Sequence, residues 1–105
     1  MAETTLNVES GVCQFKTVII ANMDDEMNIT YRIKSGCPMV REMAKAMTEP
    51  IPVFDIIAKP FCENVIYKKA EALEHVCCPV PSAIIKAAEV AGDLALKKNV
   101  TFTFE

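Results

Sequence analysis

The feature that most constrains this chain is a change of hydrophobic period about a third of the way along it. Before the change, apolar and polar residues alternate. Leu6 and Val8 alternate with Thr5, Asn7 and Glu9, and Met27, Ile29, Tyr31 and Ile33 alternate with Asn28, Thr30, Arg32 and Lys34. Successive side chains of a strand point to opposite faces, so a period of two marks half-buried strands. Between these runs, Phe15, Thr17, Ile19 and Ala21 alternate with Lys16, Val18, Ile20 and Asn22, a strand with apolar residues on both faces. Ser10-Gly11 and Asp24-Asp25-Glu26 are short polar connections, and short connections join antiparallel neighbours. The pattern predicts a three-stranded meander over about residues 4–34.

Helical spacing takes over after Cys37. Pro38 suits a first helical turn. Met39, Val40, Met43 and Met47 then share one face, with Arg41, Glu42 and Lys45 on the other. Glu49-Pro50-Ile51-Pro52 ends that helix in an extended link, and residues 53–58 fit a short helix. Pro60 is expected to open a further helix, with Cys62, Val65, Ile66, Ala70, Leu73 and Cys77 on one side. Pro79 and Pro81 interrupt it. Residues 82–98 predict a last helix carrying Ile84, Ala87, Ala88, Ala91 and Leu94, with Lys97-Lys98 at its C-terminal end. Val100, Phe102 and Phe104 then alternate with Thr101, Thr103 and Glu105, a final strand expected to dock into the sheet. The expectation is one α+β domain over residues 1–105. Its antiparallel sheet has about four strands, in the order βββ-α-α-α-β, with the helices packed on one face.

Composition excludes several classes of function. A net charge of −3, with Lys68-Lys69 and Lys97-Lys98 the only adjacent basic pairs, argues against nucleic acid, because phosphate binding needs clustered cations. No apolar run approaches the roughly 18–20 residues of a membrane span. Met1-Ala2-Glu3-Thr4-Thr5 lacks the basic and apolar regions of a signal peptide, so a reducing cytoplasm is expected. Stable disulfides are uncommon there, and an odd count of five cysteines fits a disulfide framework poorly. The cysteines read as thiols, metal ligands or small core residues.

Cys13 falls at the start of the second strand, and Cys37 between the third strand and the first main helix. Cys62 lies near the next helix start, and Cys77 and Cys78 just before the last long helix. Cys37 and Cys78 each precede a proline and a helix, where amide donors and the helix dipole favour a thiolate. No Cys-x-x-Cys pair is present, so any metal site must be assembled from distant elements. The competing reading is that the thiols only fill the core, above all Cys13 and Cys62. Adjacent residues point in different directions, so only one of Cys77 and Cys78 is expected to face a shared site.

His75 is the sole histidine. It could serve as ligand or base beside Cys77, with a capping or surface role as the plainer reading. Asp24-Asp25-Glu26 reads as a solvated hairpin tip, since no calcium-loop spacing follows. Met39, Met43 and Met47 read as core. There is no Gly-rich phosphate loop, nucleophile elbow or His-Glu-x-x-His pattern.

The order Gly11-Val12-Cys13, Gly36-Cys37-Pro38, Cys62 and Cys77-Cys78-Pro79, over roughly residues 11–96, resembles the TSCPD domain. That short cysteine-containing module is found alone and appended to cobalamin-dependent ribonucleotide reductases. The family's Thr-Ser-Cys-Pro-Asp reads Val76-Cys77-Cys78-Pro79-Val80 here. The resemblance implies metal binding and matches Cys13, Cys37, Cys62 and Cys78 to the family's cysteines. Three functions follow as expectations. The first is a zinc or iron–sulfur module on Cys13, Cys37, Cys62 and Cys78, with Cys77 or His75 as lesser candidates. The second is a thiol-based redox enzyme or sensor using Cys37 or Cys78. The third is a structural protein whose cysteines only pack. A sheet edge beside the final strand offers a surface for a homodimer or a partner protein.

Overall fold

A computed structural model describes residues 2–105; Met1, part of the N-terminal segment read above, lies outside the described residues. The meander forms as the alternation predicts. Strand β1 (Ala2–Glu9) pairs antiparallel with β2 (Lys16–Met23), and β2 with β3 (Asn28–Ser35). The register sets Leu6 opposite Ile19 and Ile19 opposite Ile33, which puts one apolar row on one face. Asp24 Oδ1 accepts the amides of Glu26 and Asn28 and closes the second hairpin.

The inner row of the sheet is Thr17, Ile19 and Ala21 on β2, with Ile29 and Tyr31 on β3, all buried. Helix α4 (Val80–Ala91) lies across β1 and β2, and α1 (Pro38–Lys45) against β3. Ile84, Ala87, Ala88 and Ala91 face the sheet, and the small alanines let the helix approach closely. The buried Tyr31 hydroxyl donates to the Ile84 carbonyl at 3.0 Å, a polar tie between sheet and helix. Burial pushes the Tyr31 phenol well above its ordinary range.

The sheet has four strands, as expected, but the fourth is a different segment. Strand β4 is Ile51–Pro52, paired with Ile29 and Asn28, and it leads directly into α2 (Val53–Ile57). Residues 100–105, expected to dock as the last strand, lie in no strand and are exposed. Alternation makes a segment able to pair; an edge within reach decides whether it does. The exit from α4 sets that reach. The helix ends at Gly92, not near Lys98, because Asp93 adopts a left-handed conformation (φ 57°). The Leu94 amide then bonds the Glu89 carbonyl at 2.8 Å, and the Asp93 amide bonds Val90 at 3.0 Å, which closes the helix. Pro81, expected to interrupt the chain, sits inside the first turn of α4, where no amide donor is needed.

The single helix expected from Pro60 to Cys77 is broken. It consists of a 3₁₀ turn (Phe61–Glu63), α3 (Val65–Lys69), a second 3₁₀ turn (Ala70–Ala72) and an irregular run to Pro79. Asn64 resets the helix. Its backbone is extended, its Oδ1 accepts the amides of Ile66 at 2.8 Å and Tyr67 at 3.4 Å, and its Nδ2 donates to Ile56 at 2.7 Å and Lys59 at 3.3 Å. This buried amide joins the end of α2 to the start of α3.

Candidate functional site

The 3₁₀ turn Gly11–Cys13 joins β1 to β2 and carries the first thiol to the end of the sheet. Gly11 (φ +81°) and Gln14 (φ 61°) both take left-handed backbone, which makes the connection this tight. Phe15 turns back over Gly36, where a Cβ would stand 3.1 Å from the ring, so the bare glycine lets the ring lie against the backbone. Cys37 follows as the N-cap residue of α1. Its amide donates to Ser35 Oγ at 3.0 Å, and Ser35 Oγ lies 2.8 Å from Thr17 Oγ1. The Arg41 guanidinium donates to the carbonyls of Ser35 and Gly36, bracing the loop that presents Cys37.

The irregular run after the second 3₁₀ turn supplies the opposite wall. The Cys78 amide bonds the His75 carbonyl at 3.2 Å, which curls the chain just before α4. The Glu74 amide approaches Met39 Sδ at 3.4 Å and ties this run to α1. A cleft of about 290 Å³ lies between these segments, lined by Cys13, Cys37, Cys77, Cys78 and His75. Phe15, Met39 and Leu73 form its apolar walls.

The chain thus brings three of the expected site cysteines, Cys13, Cys37 and Cys78, to one cleft. Cys77 and His75 also line it, so both members of the adjacent pair border the cleft. Cys62 does not line the cleft; it lies exposed in the Phe61–Glu63 turn. Its predicted place on a long apolar helix face disappeared when Asn64 broke that helix. Cys13, a site cysteine for which core filling was the competing reading, is exposed, and Cys37 is the one buried thiol. The Asp24–Glu26 tip takes the turn role its spacing suggested, and Met43 and Met47 are core as expected, whereas Met39 reaches the cleft wall.

Burial pushes the Cys78 thiol up. The Val80 amide pulls it back down, and the sulfurs of Cys37, Cys13 and Cys77 push it up further. Cys37, Cys13 and Cys77 thus each lie within electrostatic reach of Cys78. Among the described residues, no three Cys, His, Asp or Glu side chains stand at ligating geometry. A centre shared by several of these thiols would therefore draw the 11–15 and 73–79 loops together.

Fold and site together define a small α+β domain with a thiol-lined cleft at one end of a four-stranded antiparallel sheet. The chain belongs to a family of unknown function (DUF6951), whose model matches residues 4–104. Searches of curated proteins and of solved structures found no significant match. No helix among the described residues is long and apolar enough to cross a membrane.

Proposed function

We infer that this domain is a soft-metal module whose cleft takes a zinc ion or an iron–sulfur cluster on Cys13, Cys37, Cys77 and Cys78, with His75 as an additional donor. The observation that carries this reading is the convergence of four thiols from three separate segments on one cleft, without a local Cys-x-x-Cys pair. Thiolates are the ligands that select zinc, cuprous and iron–sulfur centres. The cleft walls are apolar, and burial among them makes Cys78 lose its proton reluctantly. A bound cation offsets that cost by supplying the counter-charge. The same raised thiol argues against Cys78 as the free nucleophile of a redox enzyme, since the thiolate is the attacking form. A cytoplasmic setting accords with reduced thiols and belongs to the same proposal.

The test is anaerobic purification of the full chain, followed by metal analysis and absorption spectroscopy. Zinc or iron near one equivalent or more is expected, and less than about half an equivalent of either, after reconstitution, overturns the reading. Cys62→Ser should keep the metal. Cys37→Ser and Cys78→Ser should each lower its affinity by tenfold or more, since losing even a partner that only orients a ligand costs roughly 10–100-fold.

A further inference from the structure

Segment 100–105 has the pattern of a strand and, among the described residues, pairs with no strand. Val100, Phe102 and Phe104 are 61%, 85% and 101% exposed, and they alternate with Thr101, Thr103 and Glu105. Three large apolar side chains on one side of so short a segment are costly to leave in water. The sheet in turn ends in a long open strand. β1 is eight residues and stands at the sheet edge, and among the described residues no strand pairs with its outer side. Natural sheets blunt or cover such an edge.

The two features match. The outward row of β1 is Glu3, Thr5, Asn7 and Glu9, and its helix-side row includes Thr4, Leu6 and Val8. A strand laid beside it with Thr101 and Thr103 outward puts Phe102 and Phe104 next to Leu6 and Val8, at the flank of α4. Lys97 and Lys98, just before the segment, are opposite in sign to Glu3 and Glu9. The cap at Asp93 and Leu94 directs the chain off the end of α4, and residues 96–105 are all exposed rather than returned to their own β1.

We propose that segment 100–105 adds as a fifth strand along β1 of a second copy of this chain, reciprocally, to form a two-fold dimer. Main-chain hydrogen bonds along the edge supply affinity, and the Phe102 and Phe104 pockets supply specificity. The surface lies at the sheet edge and the 100–105 segment, apart from the cysteine cleft.

The test is sedimentation of the full chain under reductant across roughly a hundredfold range of concentration, with hydrogen exchange at both ends of that range. The wild type should dimerise, and the amides of 100–105 and of β1 should become protected together as concentration rises. The Phe102→Asp, Phe104→Asp double variant should keep the far-UV spectrum, because both side chains are exposed in the single chain, and should dimerise about tenfold or more weakly. A wild type that stays monomeric overturns the proposal, whether segment 100–105 is exposed or protected on its own β1. A variant that dimerises as tightly as wild type overturns it too, by placing the interface elsewhere.

Discussion

Replacing Asn64 by Ala tests how the segment that carries half the cleft is held. Asn64 is 3% exposed, and its amide makes four hydrogen bonds. Two are accepted from the first amides of α3, and losing such an N-cap costs about 1 kcal/mol. The other two are donated to carbonyls at and beyond the end of α2. The Ile56 carbonyl lies in the last turn, where the helix itself offers no donor, and Ile56 is fully buried. Leaving that acceptor without a partner costs roughly 1–3 kcal/mol. The sum is about 2–4 kcal/mol, a large share of the roughly 5–15 kcal/mol that holds a domain of this size. Urea unfolding followed by circular dichroism should show the midpoint falling at unchanged slope, with Tm down by roughly 10–20 °C. Asn64→Asp separates the two halves of the effect. It keeps the acceptor for Ile66 and Tyr67 but aims a carboxylate at the carbonyls of Ile56 and Lys59. It should be as destabilised as Asn64→Ala at neutral pH and recover as acid protonates the carboxyl, which then donates. Asn64→Ala within about 0.5 kcal/mol of wild type, or Asn64→Asp as stable as wild type at pH 7, refutes the two-sided staple.

Three further outcomes follow from the same contacts. The folded Tyr31 phenol holds its proton above the pH at which an unfolded tyrosine releases it, so above about pH 10 the native state binds more protons than the unfolded one. Stability should then fall by about 1.4 kcal/mol per pH unit, and Tyr31→Phe should remove that component of the slope in alkaline unfolding curves. Cys37→Ser should keep α1, because Ser is a better N-cap than Cys, so its thermal unfolding should lie within about 1 kcal/mol of wild type while metal binding drops. Gly11→Ala forces a side chain onto left-handed backbone in the turn before Cys13 and should cost about 1–2 kcal/mol by urea unfolding.

The sheet was legible because its signal is local. Half-burial of a meander writes itself as alternation in residues that are neighbours in sequence, and the register of β1, β2 and β3 follows from short turns. The errors fell where a distant partner decides. Segment 100–105 has the alternation of a strand but no pairing among the described residues, whereas Ile51–Pro52, too short to alternate, pairs beside β3 where it leads into α2. The apolar spacing from Cys62 to Leu73 suits one helix, yet a single asparagine with donors on one side and acceptors on the other divides it. Asn64 could have been suspected from the sequence, since Asn before an apolar run is an N-cap signal.

The cleft was legible in a different way. Cys37-Pro38 and Cys78-Pro79 each mark the turn into a helix, and α1 and α4 both pack on the inner face of the same sheet, so their starting ends need only lie at the same sheet end to meet. Alternating direction in an antiparallel meander puts the β1–β2 turn, with Cys13, and the end of β3, before Cys37, at one end. Topology thus forces Cys13 and Cys37 together once the strand order is known. Cys77 and Cys78 arrive because α4 must start at that end to run back over β2, as the approach of Met23 Sδ to Gly92 at its far end attests. Cys62 has no such constraint, since it precedes a helix broken by Asn64 and sits in a turn of its own. The convergence of the other four is a consequence of strand direction, so a variant that lengthens the Gly11–Cys13 turn by one residue should displace Cys13 from the cleft without unfolding the sheet. Metal bound to that variant with wild-type affinity would show that Cys13 is no ligand, and would move the proposed centre onto Cys37, Cys77, Cys78 and His75.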